Sequence, residues 1–372
     1  MTDLLSKRIF VGGSCAIAAA AGLPILRSQA QALRPSIIDN DTTALRAAAS
    51  AQGILYGSAV SSPELRDEDF RAVLAREAAI LVPEYEMKRA IVEPTRDAYD
   101  LSGCDRLLAF GRGYGMQFRG HPLVWHKRNP DWLEEAVLST HDETLITTYI
   151  EKVAGHFRGQ MHSWDVVNEA IAPEDGRPDD LRKSFWLEAF GPHYIDIAYH
   201  AARATDPGAV LVYNDWGCEL GAPANDRFRA ATLAFLEQVL ARGVPIDALG
   251  LQGHMRAFGT PVDQQKLRIF LDRVKALGLQ ILVTEHDVDD SGGPSDIAER
   301  DRAVADASRR FLDVMVAAGA IAILTWGLTD RFLASPGWRA RLDGYEPRML
   351  PLDSDLRPTP MRQAMLSAFA AR

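Results

Sequence analysis

The chain has 372 residues, of which 47% are hydrophobic and 24% are charged, and this ordinary globular composition fits one large α/β domain. Its formal net charge is −9, and no basic stripe interrupts this acidic character. The sequence therefore argues against nucleic acid and against anionic membrane surfaces as partners, and it leaves a neutral or weakly acidic substrate open.

The amino-terminal segment, residues 1–32, is typical of an export signal. Lys7 and Arg8 precede an apolar run over residues 9–26, and small residues at the end of the segment offer a cleavage site after Ala32. The start of the segment resembles a twin-arginine signal with lysine in place of the first arginine, so the Sec route stays open. An uncleaved membrane anchor is the alternative, because the apolar run nears spanning length.

We expect an exported protein, periplasmic or secreted, that keeps no stable membrane partner once the signal peptide is removed. Residues 33–372 then form a single folded domain, which we expect to be a monomer. Its two cysteines are Cys104 and Cys218, and the sequence leaves open whether they pair or stay free. Neither has a cysteine or histidine at ligand spacing, so we expect no metal and no cofactor.

From residue 53 onward, short apolar runs alternate with longer amphipathic stretches. Eight strands are predicted, at residues 53–59, 79–82, 116–124, 161–168, 209–214, 247–252, 279–284 and 320–326. Helices are predicted at residues 33–51, 63–77, 104–114, 142–157, 192–205, 223–241, 261–277, 296–318 and 359–370. Eight alternating units predict a (β/α)8 TIM barrel, and a doubly wound open sheet is the rival. The barrel is preferred because polar residues follow nearly every strand, and a barrel brings all eight strand ends to one mouth.

Two of the predicted strands end in a glutamate. The apolar run that begins at His162 ends in Asn168 and Glu169, and a second run ends in Glu285. A pair of carboxylates at one mouth is what two-carboxylate glycoside hydrolysis requires. The other strand ends carry amides and tryptophans, which suit sugar hydroxyl groups and the C–H faces of sugar rings. The pattern favours an enzyme that acts on carbohydrate.

The chain resembles glycoside hydrolase family ten, a family of endo-β-1,4-xylanases with a (β/α)8 barrel. Eight motifs occur in the family's order between residue 53 and about residue 365. They are GSAV at Gly57, EYEMK at Glu84, RGHPLVWH at Arg119, WDVVNEA at Trp164, ND at Asn214, LQGHM at Leu251, VTEHDV at Val283 and TWGLTD at Thr325. The resemblance implies that the domain is a catalytic barrel whose substrate is xylan or its oligosaccharides.

By this resemblance, Glu169 is the general acid/base and Glu285 the nucleophile of a retaining mechanism. Asn168 is expected to hold the 2-hydroxyl group of the sugar, and His254 and Asp287 to keep Glu285 oriented and ionised. Six further residues match positions that bind the sugar on the non-reducing side of the scissile bond: Glu84, Lys88, His121, Trp125, Gln252 and Trp326.

The sequence departs from the family pattern mainly on the non-reducing side. Tyr85 replaces an asparagine, and Ala334 stands where the family has a second tryptophan, which Trp338 could replace if the loop were refolded. Trp216 replaces a tyrosine, and His286 replaces an aliphatic residue. These changes lead to the hypothesis of a shifted preference, toward short or decorated oligosaccharides.

Two alternatives to a xylanase stay open from the sequence. One is a related β-glycosidase that acts on short oligosaccharides, and the other is a carbohydrate-binding protein with little turnover. A metal-dependent hydrolase is disfavoured, because such barrels usually have a His-x-His pair on the first strand and residues 53–59 contain no histidine. His126 and His286 are interpreted as packed, hydrogen-bonded histidines rather than as reactants.

Overall fold

Strands and helices alternate along the chain in the computed structural model, which describes residues 43–333, 341 and 343–371. All eight predicted strands are present, most of them shortened by one to five residues, whereas the strand predicted at 279–284 extends to Asp289. Within the described residues the strands are β1 (Leu55–Val60), β2 (Ile80–Pro83), β3 (Gln117–Gly120), β4 (Ser163–Asn168), β5 (Val210–Asp215), β6 (Ala248–Leu251), β7 (His254–Arg256), β8 (Gln280–Asp289) and β9 (Ala322–Thr325).

The strands form a closed parallel barrel. The hydrogen-bonded order runs from β1 through β6 and then to β8 and β9, and β9 pairs with β1 through Gly57 and Leu324 to close the ring. The short strand β7 is an addition, because it pairs with the outer end of β8, where His254 lies opposite Asp287. The (β/α)8 prediction is confirmed, and the open doubly wound sheet was wrong because a closed ring has no edge strands.

The helices flank the barrel at the predicted positions. In the described residues they are α1 (Leu45–Ser50), α2 (Glu68–Glu77), α3 (Arg89–Val92), α4 (Ser102–Gly113), α5 (Asp131–Thr140), α6 (Thr144–His156), α7 (Phe185–Phe190), α8 (His193–Thr205), α9 (Pro223–Ala241), α10 (Gln264–Ala276), α11 (Ile297–Ala318) and α12 (Pro360–Ala370). The short helices α3, α5 and α7 were not predicted. The predicted helix over 33–51 is present from Leu45, and residues 33–42 lie outside the described part.

Several helices begin at aspartates that cap them. The Asp67 carboxylate accepts a hydrogen bond from the Phe70 amide (3.0 Å) at the start of α2. Asp296 does the same for the Glu299 amide (2.9 Å) at the start of α11. Each cap satisfies an amide that has no partner within its own helix, which explains why these boundaries could be recognised from the sequence.

The core has one apolar layer between barrel and helices and a smaller one inside the barrel. The inner layer is formed by Ala59, Ile80, Val82, Val212, Ala248, Leu282, Ala322, Leu324 and Trp326. Gly120, at the end of β3, permits close packing in the outer layer, because a Cβ atom there would lie 2.0 Å from the ring of Trp164, which belongs to that layer. Polar residues lie above the inner layer, at the carboxyl ends of the strands, and these residues form the site.

Cys104 and Cys218 are free, buried thiols, which resolves the question of a disulfide that the sequence left open. Burial raises the pKa of both thiols, so they are inert packing residues rather than nucleophiles. In the described residues no helix has the length and apolarity needed to cross a membrane. The positions Ala334 and Trp338, and the whole segment 1–32, lie outside the described residues.

Candidate active site

One cleft at the carboxyl ends of the strands brings the predicted residues together. It has a volume of about 700 Å³. Its lining includes all but one of the predicted site residues: Glu84, Lys88, His121, Trp125, Asn168, Glu169, Gln252, His254, Glu285 and Trp326. The exception is Asp287, which is buried behind His254 and acts on the cleft through that ring. Tyr85, Lys127, Arg128 and Trp216 also line the cleft.

Glu169 directly follows β4 and has a left-handed backbone conformation, with φ of 57°. This conformation is uncommon for a residue with a side chain and is maintained by its surroundings. The Glu169 amide donates to the Asn214 carbonyl (2.9 Å), and its own carbonyl accepts from Arg182 (2.7 Å). Its carboxylate accepts a hydrogen bond from Gln252 (3.1 Å) and lies 3.5 Å from the Lys127 ammonium. The residue is 7% exposed, at the cleft surface.

Glu285 lies within β8 and is held by two donors. Its Oε1 accepts from the Asn214 side-chain amide (2.8 Å), and its Oε2 lies 3.3 Å from His254 Nε2. The other nitrogen of this ring lies 2.9 Å from Asp287. His254 therefore bridges the two carboxylates, as the resemblance led us to expect. A carboxylate held on both oxygens keeps one orientation, which a nucleophile requires.

Charges around Glu285 keep it ionised. Burial by itself would raise the pKa of Glu285, but the neighbouring groups outweigh it and lower the pKa to about 2. Burial likewise opposes the charge of His254, yet Asp287 and Glu285 raise its pKa to about 10. Burial and the Lys88 ammonium lower the pKa of His121, so that ring is neutral near pH 7. His121, His254 and Lys88 all favour the ionised form of Glu285, and with His121 neutral the contributions of His254 and Lys88 remain.

A shift in strand register, as at a β-bulge, lies shortly before Glu169 and at Glu285. In β4 the register with β5 shifts between Asp165 and Val167, shortly before Glu169. In β8 the register with β9 shifts between Val283 and His286, at the position of Glu285. A bulge re-aims the side chains that follow it, and bulges are frequent next to active sites. The two carboxylates thus face the cleft because of irregularities that strand periodicity alone cannot predict.

Two buried residues that sequence reasoning missed orient the His121 ring. His121 Nδ1 lies 2.7 Å from the Asp165 carboxylate, which also pairs with the Arg119 guanidinium. This arrangement leaves His121 Nε2 directed toward Glu285, 3.9 Å from its Oε1. Asp165 occupies the middle of an otherwise apolar strand, and that position is the signal that could have revealed it. Buried carboxylates without a partner are costly, so a mid-strand aspartate implies a polar network.

Aromatic and amide side chains complete the cleft. The Lys88 ammonium lies 4.8 Å from the ring centre of Trp125 and 5.4 Å from that of Trp326. Both tryptophans line the cleft, and Trp326 also packs in the inner layer of the core. The Asn168 amide lies 2.9 Å from the Asn214 amide nitrogen, which connects it to the donor of Glu285. These groups offer ring faces and polar donors, as a sugar requires.

His286 follows Glu285 in β8 but faces away from the cleft. One ring nitrogen lies 2.9 Å from the Gly253 carbonyl and the other 2.9 Å from the Ser308 hydroxyl. The interpretation as a packed, hydrogen-bonded histidine is therefore confirmed. His126 differs, since its Nδ1 is buried without a hydrogen-bond partner and its Nε2 lies 4.0 Å from Glu169.

Full burial of His286 makes the fold sensitive to acid. Burial lowers its pKa to about 4, whereas histidine in an unfolded chain titrates near 6.5. Between pH 6.5 and pH 4, the unfolded chain binds a proton at His286 and the folded chain does not. The neutral ring of His286 therefore stabilises the fold fully above pH 6.5, and this contribution is lost as the pH falls toward 4. Between pH 7 and pH 5, we expect Tm to fall by roughly 3 °C more in the wild type than in His286→Leu.

The measurement is thermal unfolding at both pH values, with His200→Gln as the control because His200 is exposed on α8. His286→Leu is expected to be less stable at pH 7, since Ser308 and the Gly253 carbonyl lose their partner. The informative quantity is therefore the change in Tm between the two pH values. Equal changes in wild type and His286→Leu would contradict the prediction.

Comparisons with known proteins identify the family of this chain. The family model for glycosyl hydrolase family 10 matches residues 44–368. Endo-1,4-beta-xylanase B of Thermotoga neapolitana is 31% identical over 296 residues, which are 79% of this chain and 81% of that protein. The beta-1,4-xylanase of Dictyoglomus thermophilum is 34% identical over 235 residues, 62% of each chain.

Solved structures of xylanases are also similar to this chain. Xylanase 10B of Thermotoga maritima has a TM-score of 0.77 and 29% identity, and the match covers 88% of this chain and 98% of that one. Xylanase 10B of Thermotoga petrophila, solved in complex with xylobiose, has a TM-score of 0.77 and 28% identity over 89% and 98% of the two chains. The family match spans nearly all of the described residues, and with the barrel and its paired glutamates it establishes that the chain belongs to glycosyl hydrolase family 10.

Proposed function

We propose that Glu169 and Glu285 catalyse the retaining hydrolysis of β-1,4-xylosidic bonds, with Glu285 as nucleophile and Glu169 as general acid/base. The observation that carries this assignment is the contrast between the two carboxylates in one cleft. Glu285 is held between Asn214 and the protonated His254, which favours its ionised form. Glu169 accepts its side-chain hydrogen bond from a neutral donor, Gln252 (3.1 Å), and the nearest ammonium, that of Lys127, is a largely exposed group at 3.5 Å.

The first half of the reaction forms a covalent intermediate. A carboxylate oxygen of Glu285 attacks the anomeric carbon, and the bond between that carbon and the departing glycosidic oxygen breaks. Glu169 gives its proton to the departing oxygen, so the leaving sugar is released as an alcohol. In this mechanism Asn168 binds the 2-hydroxyl group, a contact that strengthens as the ring becomes oxocarbenium-like.

The second half restores the enzyme. Glu169, now ionised, takes a proton from a water molecule, whose oxygen attacks the anomeric carbon and displaces Glu285. Two inversions give net retention, and Glu169 ends the cycle protonated again. His254 and Asp287 act on this cycle as positioning residues, because the imidazolium stabilises the Glu285 carboxylate both before attack and after release.

The activity is that of an endo-1,4-β-xylanase. Family 10 membership and the xylanases named above support cleavage of β-1,4-xylan. A carbohydrate substrate is supported by the lining of the cleft, which includes Trp125, Trp326 and Trp216. We propose further that residues 33–372 form one catalytic domain that works as a monomer and without a cofactor.

The function is tested on the purified domain, residues 33–372. Xylan, linear xylo-oligosaccharides and a soluble cellulose derivative are incubated with enzyme, and the products are separated by chromatography, with Glu285→Ala as the blank. We expect xylo-oligosaccharide products that disappear in the variant. Binding without products would support the carbohydrate-binding alternative, and faster cleavage of short aryl glycosides than of xylan would support a β-glycosidase.

Tyr85 is expected to control chain-length preference. Its side chain is 49% exposed at the cleft, beside Glu84 and Lys88, where an asparagine would donate a hydrogen bond to the sugar. One neutral hydrogen bond is worth about 0.5–1.5 kcal/mol. We therefore expect Tyr85→Asn to raise kcat/KM for xylohexaose, relative to xylotriose, by about threefold to tenfold.

The control is Tyr85→Phe, which keeps the ring and removes the hydroxyl group. If the ring itself sets the preference, this variant behaves like the wild type. An unchanged ratio of the two kcat/KM values in Tyr85→Asn would show that Tyr85 does not determine chain-length preference.

We also propose that the protein is exported, with residues 1–32 as its signal peptide. The support is the basic pair followed by an apolar run and a small-residue cleavage site. Expression of the full chain, cell fractionation and amino-terminal sequencing should give an extracytoplasmic product that starts at Leu33. A product that retains Met1 in the membrane fraction would instead support an uncleaved anchor.

A further inference from the structure

We propose that Lys127 and Arg128 recognise a carboxylate on the substrate, namely the uronic acid side group of an acidic xylan. This inference rests on the proposed function and adds to it the substituent that the cleft prefers. Both residues line the cleft, and the printed sequence places them between Trp125 and α5. Two cations at this position let the rim of the active site select substrates by the negative charge of a side group, in addition to the backbone sugar.

Lys127 lies directly beside the reaction centre. Its ammonium is 3.5 Å from Oε2 of Glu169 and 5.6 Å from the ring centre of Trp125, and its side chain is 58% exposed. In the state that begins cleavage, Glu169 carries a proton, and Lys127 then has no ionised partner at that carboxyl group. The ammonium is left facing the substrate, above an aromatic surface that a sugar ring can cover.

Hydrogen bonds hold the backbone on both sides of these two residues in place. The Trp125 carbonyl accepts hydrogen bonds from Asn129 (2.9 Å) and from the Trp186 indole (2.9 Å). The Arg128 carbonyl accepts from the Ala90 amide (2.9 Å), and Arg128 itself has a left-handed φ of 55°. A segment held at both ends presents its side chains with little ordering cost on binding.

Lys127 and Arg128 are the two cations of the cleft lining that are available to bind a substrate carboxylate. Lys88 and His254 are the other cations of the lining, and both are committed to Glu285. The guanidinium of Arg128 is exposed, and it makes no ion pair or hydrogen bond with any residue that the structure describes. Lys127 and Arg128 are adjacent, exposed cations in a protein whose net charge is −9.

The chemistry of the ligand follows from these groups. A backbone of xylose has no charge and needs no ammonium or guanidinium. A uronic acid side group supplies a carboxylate, which a guanidinium binds through two parallel hydrogen bonds and an ammonium attracts as a point charge. Glu84, also in the lining, would repel a carboxylate, so the preferred place for the side group is on the Lys127 side of the rim.

The test compares two substrates that differ in one group. One is a xylo-oligosaccharide that bears a single uronic acid side group, and the other is the same compound with the carboxyl group reduced to a primary alcohol. The readout is the ratio of their kcat/KM values for the wild type and for Lys127→Gln, Arg128→Gln and the double variant. Lys152→Gln, an exposed lysine on α6 outside the cleft lining, is the matched charge control.

We expect the wild type to prefer the acidic compound, and each single variant to lower the ratio about threefold and the double variant about tenfold. Raising the ionic strength from about 0.01 M to 0.5 M should lower the wild-type ratio as well, because these groups are exposed. Lys152→Gln should keep the wild-type ratio. Circular dichroism of each variant verifies that the barrel is intact.

A ratio that stays the same in the double variant overturns the inference, as does an equal loss on both compounds, which would show contact with neutral hydroxyl groups. These outcomes differ from failure of the proposed function. If the proposed function failed, the wild type would cleave neither compound nor linear xylohexaose. If only the inference about charge failed, the wild type would cleave all three substrates without preferring the acidic one.

Discussion

Glu285→Ala is expected to lower kcat on xylo-oligosaccharides by at least about 10⁴-fold, because without this carboxylate no covalent intermediate can form. Binding should persist, since Trp125, Gln252 and Trp326 are unchanged, so KM or the substrate Kd should move far less than kcat. The measurement is the initial rate of product release, with isothermal titration for binding. A loss of less than tenfold would contradict the assignment of Glu285.

Azide added to Glu285→Ala should show from which face of the sugar ring the Glu285 carboxylate attacks. Azide is small enough to enter the space that the Glu285 carboxylate leaves, and there it faces the side of the ring opposite to the leaving group. With an activated aryl β-xyloside, Glu285→Ala should therefore recover activity and give the α-xylosyl azide, by a single inversion. Formation of the β-azide would show that Glu285 is not the nucleophile.

Glu169→Ala is expected to separate two classes of substrate. Departure of a sugar alcohol requires a proton, so kcat on xylo-oligosaccharides should fall by roughly 10³-fold. A dinitrophenyl β-xyloside needs no proton on its leaving group, so the first step should remain fast while the second becomes slow. The glycosyl-enzyme should then accumulate, and intact-protein mass spectrometry should detect it as a burst of one adduct per enzyme.

The matched control for this variant is Glu134→Ala, which removes an exposed glutamate on α5 and should leave both substrates unaffected. Azide added to Glu169→Ala should attack the intermediate from the side of the missing acid/base and give the β-xylosyl azide, by two inversions. Opposite azide products from the two glutamate variants identify both roles at once. The same product from both would contradict the retaining mechanism.

Local patterns explain why much of the barrel could be predicted. A buried parallel strand is a short apolar run, and polar residues follow nearly every one of the eight runs, as where β4 ends at Asn168 and Glu169 comes next. Capping residues such as Asp67 and Asp296 mark helix starts through contacts only three residues long. The short helix α7 was not predicted, because it falls in the long connection between β4 and α8 and has no extended amphipathic pattern.

The sequence by itself therefore determined the order of the elements, the likeness to family 10 and the positions of both glutamates. Tertiary structure decided how these residues act on one another. The bulge before Glu169, the bridge from Asp287 through His254 to Glu285, and the approach of Lys127 to Glu169 all depend on strands that are far apart in the chain. Burial and charge at such a site arise only when the ring of strands closes, because desolvation and Coulomb interactions depend on distance in space and not on separation in sequence.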